Sequence, residues 1–195
     1  DTKAPRLCAV GELQVQPRGV SSLVLFACVT KGSRWDWTIE KATELGATKI
    51  VPVISSRTIV RLASSERAAK RERWQRIAEE AARQSDAKWV PEISAPTDFR
   101  EALERVKAVK CFVGALTSPR PMTIGRALSE SSDDELTKGA AVFVGPEGDF
   151  TSDELKLLLE SAVPVSFGMT ILRAETAAVY GISAVKSRLD AMGEI

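Results

Sequence analysis

The 195-residue sequence predicts an α/β domain in which helices flank a largely parallel sheet. Short, nearly continuous apolar runs recur along the chain, and such runs are typical of strands buried on both faces of a sheet. Amphipathic segments with helix start and stop signals lie between these runs. Regular alternation of the two patterns indicates a parallel sheet. Ligands are therefore expected where loops leave the carboxyl ends of the strands.

The apolar runs predict five strands, and each run is bounded by polar residues or glycine. They occupy residues 21–30, 49–54, 109–114, 140–144 and 163–167. The acidic stretch 129–135 is predicted to be a solvated loop.

The helical segments are predicted from their caps and apolar stripes. A capping box of Ser33 and Asp36 predicts the start of the first helix, and Gly46 predicts its end. A stripe that includes Trp74 and Ala78 predicts a longer helix over residues 66–85. Further helices are predicted over residues 98–106, 152–162 and 175–192.

The composition excludes several kinds of chemistry. The sequence has no histidine and no asparagine, which excludes Ser-His-Asp and Cys-His nucleophilic sites. Its three cysteines are never spaced as C-x-x-C, which argues against a disulfide framework and a zinc site, so we expect no metal and a reducing compartment. No apolar run is long enough to span a membrane. With a net charge of only +1, any RNA contact must come from local basic clusters.

Two loops follow consecutive predicted strands. The first, Gly145-Pro146-Glu147-Gly148, precedes a capping box at Thr151–Glu154, and its glycines permit a tight turn and the close approach of a ligand. A plain strand-to-helix turn explains this loop equally well.

The second loop runs from Gly168 to Arg173 and leads into the last helix. Arg173 falls at the helix start, where the macrodipole disfavours a cation by roughly 0.3–1 kcal/mol. This placement favours a functional role, such as contact with an RNA phosphate or a base edge. Glu175 is either a favourable first-turn carboxylate or a catalytic group. Neither loop matches a dinucleotide-binding or P-loop motif.

Six segments in order resemble the RsmE-type ribosomal RNA methyltransferases of the SPOUT superfamily, which methylate N3 of a uridine in small-subunit ribosomal RNA. The resemblance covers about residues 25–192. Its segments are 31–32 with 41–46, 55–58, 73–74 with 78–85, 90–93, 145–148 and 171–177.

The resemblance implies an α/β knot, in which the C-terminal segment forms a trefoil knot that holds S-adenosyl-L-methionine, released as S-adenosyl-L-homocysteine. It implies no metal, a homodimer, and ribosomal RNA or the small ribosomal subunit as the partner. Arg173 is expected to orient or stabilise the uridine anion, and Glu175 is a candidate for proton handling. The implied cofactor-binding residues are Gly145, Glu147, Gly148, Phe167, Gly168, Ile171, Leu172 and Arg173.

A basic cluster is the predicted RNA contact. Its candidates are Arg57, Arg61, Lys70 and Arg71, with Arg67, Arg73 and Arg76 nearby in the sequence. A solvated helix face is an equal alternative because glutamates intersperse the cluster. The tryptophans Trp35, Trp37, Trp74 and Trp89 are expected to pack against the protein rather than to stack on bases.

Departures from the family pattern bear on the substrate. Glycine is usual where Asp149 stands and common where Asp86 stands, and Met169-Thr170 replaces a frequent Pro-Arg pair. Residues 1–20 are predicted to be an irregular lead-in or the remnant of a PUA-like RNA-binding domain, and residues 21–195 the methyltransferase domain.

The sequence leaves two alternatives open. One is a SPOUT methyltransferase that acts on another RNA, such as transfer RNA. The other is a non-catalytic RNA-binding or ribosome-assembly module with the same fold. The expected location is the cytoplasm, or an organelle stroma or matrix if a transit peptide has been removed.

Overall fold

The computed structural model describes residues 21–117 and 119–193, so the predicted lead-in at residues 1–20 lies outside the described residues. The strands in the described part are β1 Leu23–Cys28, β2 Lys49–Ile54, β3 Glu92–Ile93, β4 Thr97–Asp98, β5 Lys110–Gly114, β6 Ala140–Val144 and β7 Ala162–Val165. All five predicted strands are present. The two-residue strands β3 and β4 were not predicted, because two residues carry no periodic pattern.

The described helices are α1 Ser33–Glu44, α2 Ser64–Gln84, α3 Phe99–Val106, α4 Ile124–Glu130, α5 Asp133–Thr137, α6 Ser152–Leu159 and α7 Ala174–Ala191. The prediction of a loop over 129–135 was wrong for all but residues 131 and 132, because residues 129 and 130 belong to α4 and residues 133–135 belong to α5. There Ser132 and Glu135 form a reciprocal capping box that starts α5. None of the described helices is both long and apolar enough to cross a membrane.

The sheet has the order β3-β2-β1-β6-β5-β7, with β4 also paired to β2, and every pairing is parallel. This arrangement confirms the predicted parallel sheet. Since all strands run in one direction, the loops after β5, β6 and β7 leave the same edge of the sheet. The two sequence motifs therefore meet at that edge.

Alternating residues of each strand point to opposite faces of the sheet and pack into two hydrophobic layers. On one face, Leu25 and its neighbours pack against α1, α2, α4 and α7. On the other face, Phe26 and Phe143 pack against α3 and α6. The ring of Phe150 lies 5.5 Å from that of Phe143, in an edge-to-face arrangement. The loop after β6 is therefore anchored in the core at its far end.

The first helix begins differently from the prediction. No side chain caps α1, because Gly32 precedes it at a φ of 69°, and Asp36 instead pairs with Arg73. The predicted capping box at Ser33 was therefore wrong. Gly46, at a φ of +81°, ends the helix as predicted.

The tryptophans divide into two kinds. Trp35 and Trp74 are buried, and their rings meet edge to face at 5.5 Å, which confirms the packing prediction for them. Trp37 and Trp89 are only partly covered, at 39% and 37% exposed, and the choice between packing and base stacking stays a prediction for them.

Candidate active site

A pocket of about 480 Å³ lies at the carboxyl ends of β5, β6 and β7. Three loops form its wall, and the loops after β6 and β7 are the two that the sequence singled out. This edge is where parallel α/β sheets bind their ligands. The lining comprises residues 114–117, 120, 144–147, 149, 165–168, 170–174 and 177.

The pocket brings together most of the residues predicted to bind a cofactor. They are Gly145, Glu147, Phe167, Gly168, Ile171, Leu172 and Arg173. Gly148 lies beside the lining, and its carbonyl accepts a hydrogen bond from Nη1 of Arg57 at 2.9 Å. The predicted set is thus assembled from two loops that are about twenty residues apart in the sequence.

Glycines allow the strand ends to approach aromatic rings closely. A Cβ atom on Gly145 would lie 2.9 Å from the ring of Phe150, and one on Gly114 would lie 2.4 Å from the ring of Phe167. Both distances are too short for any side chain. The walls at these positions must therefore be bare backbone, which leaves peptide groups available to a ligand.

The loop after β7 is held by contacts that the sequence did not predict. Gly168 has a φ of +116°, a conformation that favours glycine. Nη1 of Arg120 donates to the carbonyl of Gly168 at 3.3 Å, and Nη2 donates to that of Met169 at 3.5 Å. Arg120 also lines the pocket. No motif marks it, because its partners, two backbone carbonyls and Sδ of Met169, are distant in sequence.

The loop after β6 is fixed from the other side by residues 55–58. Arg57 donates to the carbonyls of Gly148 and Phe150 at 2.9 and 3.3 Å, and the amide of Ser56 donates to Oε1 of Glu154 at 2.8 Å. Burial raises the pKa of Glu154, but the amides of Ser56 and Thr151 donate to its carboxylate and bring its pKa below the ordinary 4.5. Glu154 thus stays ionised while it holds two loops together.

The predicted RNA-binding arginines have partners within the chain. Arg71 donates from Nε to the carbonyl of Ile93 at 2.9 Å, and Arg61 reaches the carbonyl of Ser56 at 3.5 Å. Within the same cluster, Arg67 pairs with Asp98, whereas Lys70 is partly exposed. Most of these side chains therefore support local structure, and their contact with RNA stays a prediction.

A second cleft, of about 390 Å³, is lined by Ser33, Arg34 and Trp37 of α1 and by Glu175 of α7. Glu175 is only 8% exposed, and its Oε2 has no hydrogen-bond partner among the described residues. Arg173 lines the large pocket, so the two predicted catalytic residues open into different cavities. An ion pair of 3.4 Å between Arg34 and Glu147 connects the two cavities.

The described cysteines take no part in the site. Burial raises the pKa of Cys28 to about 12 and raises that of Cys111 further, so both remain neutral thiols. No cluster of metal-ligating side chains occurs within residues 21–117 and 119–193.

Known proteins resemble the chain in sequence and in structure. The RNA methyltransferase domain family matches residues 18–186. Ribosomal RNA small subunit methyltransferase E of Bacillus subtilis is 36% identical over 159 residues, which cover 80% of this chain and 61% of that protein. The protein of the same name from Synechocystis is 35% identical over 174 residues, which cover 86% of this chain and 54% of that protein.

A solved structure agrees with these relatives. The crystal structure of ribosomal RNA small subunit methyltransferase E from Neisseria gonorrhoeae, bound to S-adenosyl methionine, is 32% identical with a TM-score of 0.74, covering 86% of this chain and 66% of that one. This likeness confirms the α/β-knot fold class and the resemblance to this group of enzymes. The chain spans 61% and 54% of the two relatives named above. Because the match covers most of its length, the chain belongs to the RNA methyltransferase domain family.

Proposed function

We propose that residues 21–195 form the catalytic domain of an S-adenosylmethionine-dependent enzyme that methylates N3 of a uridine in small-subunit ribosomal RNA. The observation that carries this proposal is the pocket built from the loops after β6 and β7. The relatives from Bacillus subtilis and Synechocystis are named ribosomal RNA small subunit methyltransferase E. The Neisseria structure, which is bound to S-adenosyl methionine, supports the choice of cofactor.

The pocket has the properties that this cofactor needs. Its volume of about 480 Å³ is within the range of small-molecule sites. Bare backbone at Gly145 offers hydrogen bonds to a polar ligand, while Phe167 and Leu172 offer apolar contact. The lining holds the carboxylates of Glu147 and Asp149 and the guanidiniums of Arg120 and Arg173, so charged groups of both signs are available to the sulfonium and the carboxylate of the cofactor. When bound, S-adenosylmethionine supplies an activated methyl group.

Arg173 at the large pocket and Glu175 at the neighbouring second cleft are the residues proposed to act on the uridine. Arg173 is exposed and opens into the pocket, where a guanidinium can orient a uridine and stabilise the negative charge that develops on it. Glu175 can hold the proton that leaves N3. The unusual Asp149 does not distort its loop, because at a φ of 57° it adopts the conformation that a glycine would take.

Homodimerisation and RNA contact belong to the same proposal. Exposed apolar side chains surround the loop after β7, with Met169 85%, Ile171 76% and Tyr180 46% exposed, and such a patch suits a protein interface. Lys70 and Arg61 are proposed to contact RNA phosphates, because these two side chains are the least tied to other residues of the cluster. Arg57 and Arg71 would contribute through the loops that they hold.

The test combines cofactor binding with transfer. Calorimetry with S-adenosylmethionine and S-adenosylhomocysteine is expected to show saturable binding to the purified chain. Small subunits from a strain that lacks the gene are expected to lose a reverse-transcription stop at one uridine, and the full-length gene is expected to restore it. No binding at millimolar cofactor, or a stop that persists in the deletion strain, contradicts the proposal.

A further inference from the structure

We propose that the cleft between α1 and α7 binds the uracil base of the substrate, an inference that rests on the proposed function. The cleft is lined by Ser33, Arg34, Trp37 and Glu175, and we call it the base cleft. Its side chains supply the two things that recognition of an unstacked base requires, namely an aromatic surface and polar groups that match the edge of the base.

Glu175 is the observation that points to a ligand. The residue is 8% exposed, it lines the cleft, and its Oε2 has no hydrogen-bond partner within the described residues. Buried polar atoms nearly always have a partner, and a carboxylate oxygen is satisfied by accepting a hydrogen bond. The missing partner is therefore a hydrogen-bond donor. The imide N3–H of uracil is such a donor.

The neighbours of Glu175 match the rest of the uracil edge. In uracil, a carbonyl flanks N3–H on each side, so the edge reads acceptor, donor, acceptor. Arg34 and Ser33 carry donors on the same cleft, and Arg34 retains free N–H groups beside its ion pair with Glu147. Cytosine has a bare ring nitrogen at this position, which carries no hydrogen to donate to Oε2 of Glu175. The cleft therefore favours uracil over cytosine.

Trp37 supplies the stacking surface. Its side chain is 39% exposed, and it makes no ring contact or hydrogen bond with any residue of the described part. The residue also lines the cleft, where stacking on a base contributes about 1–3 kcal/mol. Trp89 is nearly as exposed but lies outside the cleft, and it offers an internal comparison.

The position of the cleft agrees with its role. Arg34 of the cleft pairs at 3.4 Å with Glu147 of the large pocket, and Glu175 follows two residues after Arg173, which lines that pocket. A base held by Trp37 and Glu175 therefore lies beside the cofactor pocket. Arg34 therefore lies between the bound base and the bound cofactor, in contact with both cavities.

The experiment measures the binding of end-labelled oligouridylate and oligocytidylate of equal length by fluorescence anisotropy, with S-adenosylhomocysteine present. The wild type is expected to bind oligouridylate about tenfold more tightly than oligocytidylate. Trp37→Ala is expected to weaken oligouridylate binding by about 5- to 100-fold, whereas the matched control Trp89→Ala stays within about twofold of the wild type. Glu175→Gln is expected to bring the two affinities within about twofold, because an amide both donates and accepts.

Calorimetry with S-adenosylhomocysteine on each variant separates a failed inference from a failed function. If the wild type binds the cofactor and methylates small subunits, but Trp37→Ala binds oligouridylate normally or Glu175→Gln keeps the preference, the base cleft is refuted while the proposed function stands. If the wild type does not bind the cofactor or transfer methyl groups, the proposed function fails, and with it the inference.

Discussion

Gly114 and Phe167 approach each other so closely that a Cβ atom on Gly114 would lie 2.4 Å from Cε2 of Phe167. Gly114 ends β5, and Phe167 follows β7 on the neighbouring strand. Both residues line the large pocket. The shape of that pocket therefore depends on the absence of a single methyl group.

Gly114→Ala is expected to displace Phe167, because the new Cβ atom would overlap the Phe167 ring at 2.4 Å. We expect a loss of about 1–3 kcal/mol in the free energy of unfolding and at least tenfold weaker binding of S-adenosylhomocysteine. Urea unfolding and calorimetry measure the two effects. Gly125→Ala is the control, because a Cβ on this helical glycine meets nothing within 4 Å. Equal behaviour of the two variants would show that the close contact is unimportant.

The link between Arg57 and Gly148 predicts an indirect effect on the cofactor. Arg57→Ala removes the hydrogen bonds to the carbonyls of Gly148 and Phe150, which costs about 0.5–1.5 kcal/mol of loop stability. We expect several-fold weaker binding of S-adenosylhomocysteine in calorimetry without any RNA present. Arg83→Ala is the control, because Arg83 is exposed and pairs only with its own helix. If Arg57→Ala affects RNA binding alone, Arg57 acts on the substrate directly.

The two departures from the family's glycines, Asp86 and Asp149, are the two non-glycine residues with positive φ in the described part, at 54° and 57°. Asp86 follows α2, where the amide of Ala87 donates to the carbonyl of Ala82 in a helix-ending turn. Glycine adopts this conformation without steric cost. Asp86→Gly is expected to stabilise the protein by about 0.5–1 kcal/mol in thermal unfolding. Asp86→Ala, which keeps the Cβ atom, is expected to give no gain.

The strands and the helix starts show how far the sequence alone could predict the fold. The apolar runs at Lys49–Ile54 and Ala140–Val144 matched the observed strands residue for residue, because buried parallel strands are apolar throughout. The capping box at Thr151 was also correct. The box at Ser33 was wrong, because Arg73, distant in sequence, pairs with Asp36. Local patterns cannot show such tertiary competition.

The site was predictable to a similar degree. Glycine motifs and the arginine at the start of α7 located the loops of the pocket, because these residues break local rules. Arg120 and the base cleft were missed. Arg120 acts on backbone carbonyls through its side chain, and Trp37 and Glu175 meet only when α1 packs against α7. Interactions of this kind depend on the tertiary fold and leave no periodic signal.

Glu154 predicts a pH dependence of stability. Its folded pKa lies below the ordinary 4.5, so the unfolded chain binds the proton more tightly, and the stabilisation is complete above that value and is lost as the pH falls through the folded pKa. Glu154→Gln is expected to lose about 1–3 kcal/mol near pH 7, a deficit that shrinks as the pH falls below 4.5 and through the lowered pKa of Glu154. Urea unfolding across this range measures it. The exposed Glu160→Gln is the control, and a deficit independent of pH would contradict the assignment.

Substitution of Arg173 tests the catalytic proposal most directly. The residue is exposed at the start of α7, and its side chain neither caps the helix nor forms an ion pair within the described part. Arg173→Ala should therefore leave stability unchanged or slightly improved, since the helix dipole disfavours a cation there. Methyl transfer to hypomethylated small subunits is expected to fall by about 100-fold or more, while S-adenosylhomocysteine binds within a few-fold of the wild type. Arg100→Ala, on α3 across the sheet, controls for the loss of a positive charge. Near-normal turnover in Arg173→Ala would refute its role, whereas lost cofactor binding would place Arg173 in the cofactor site.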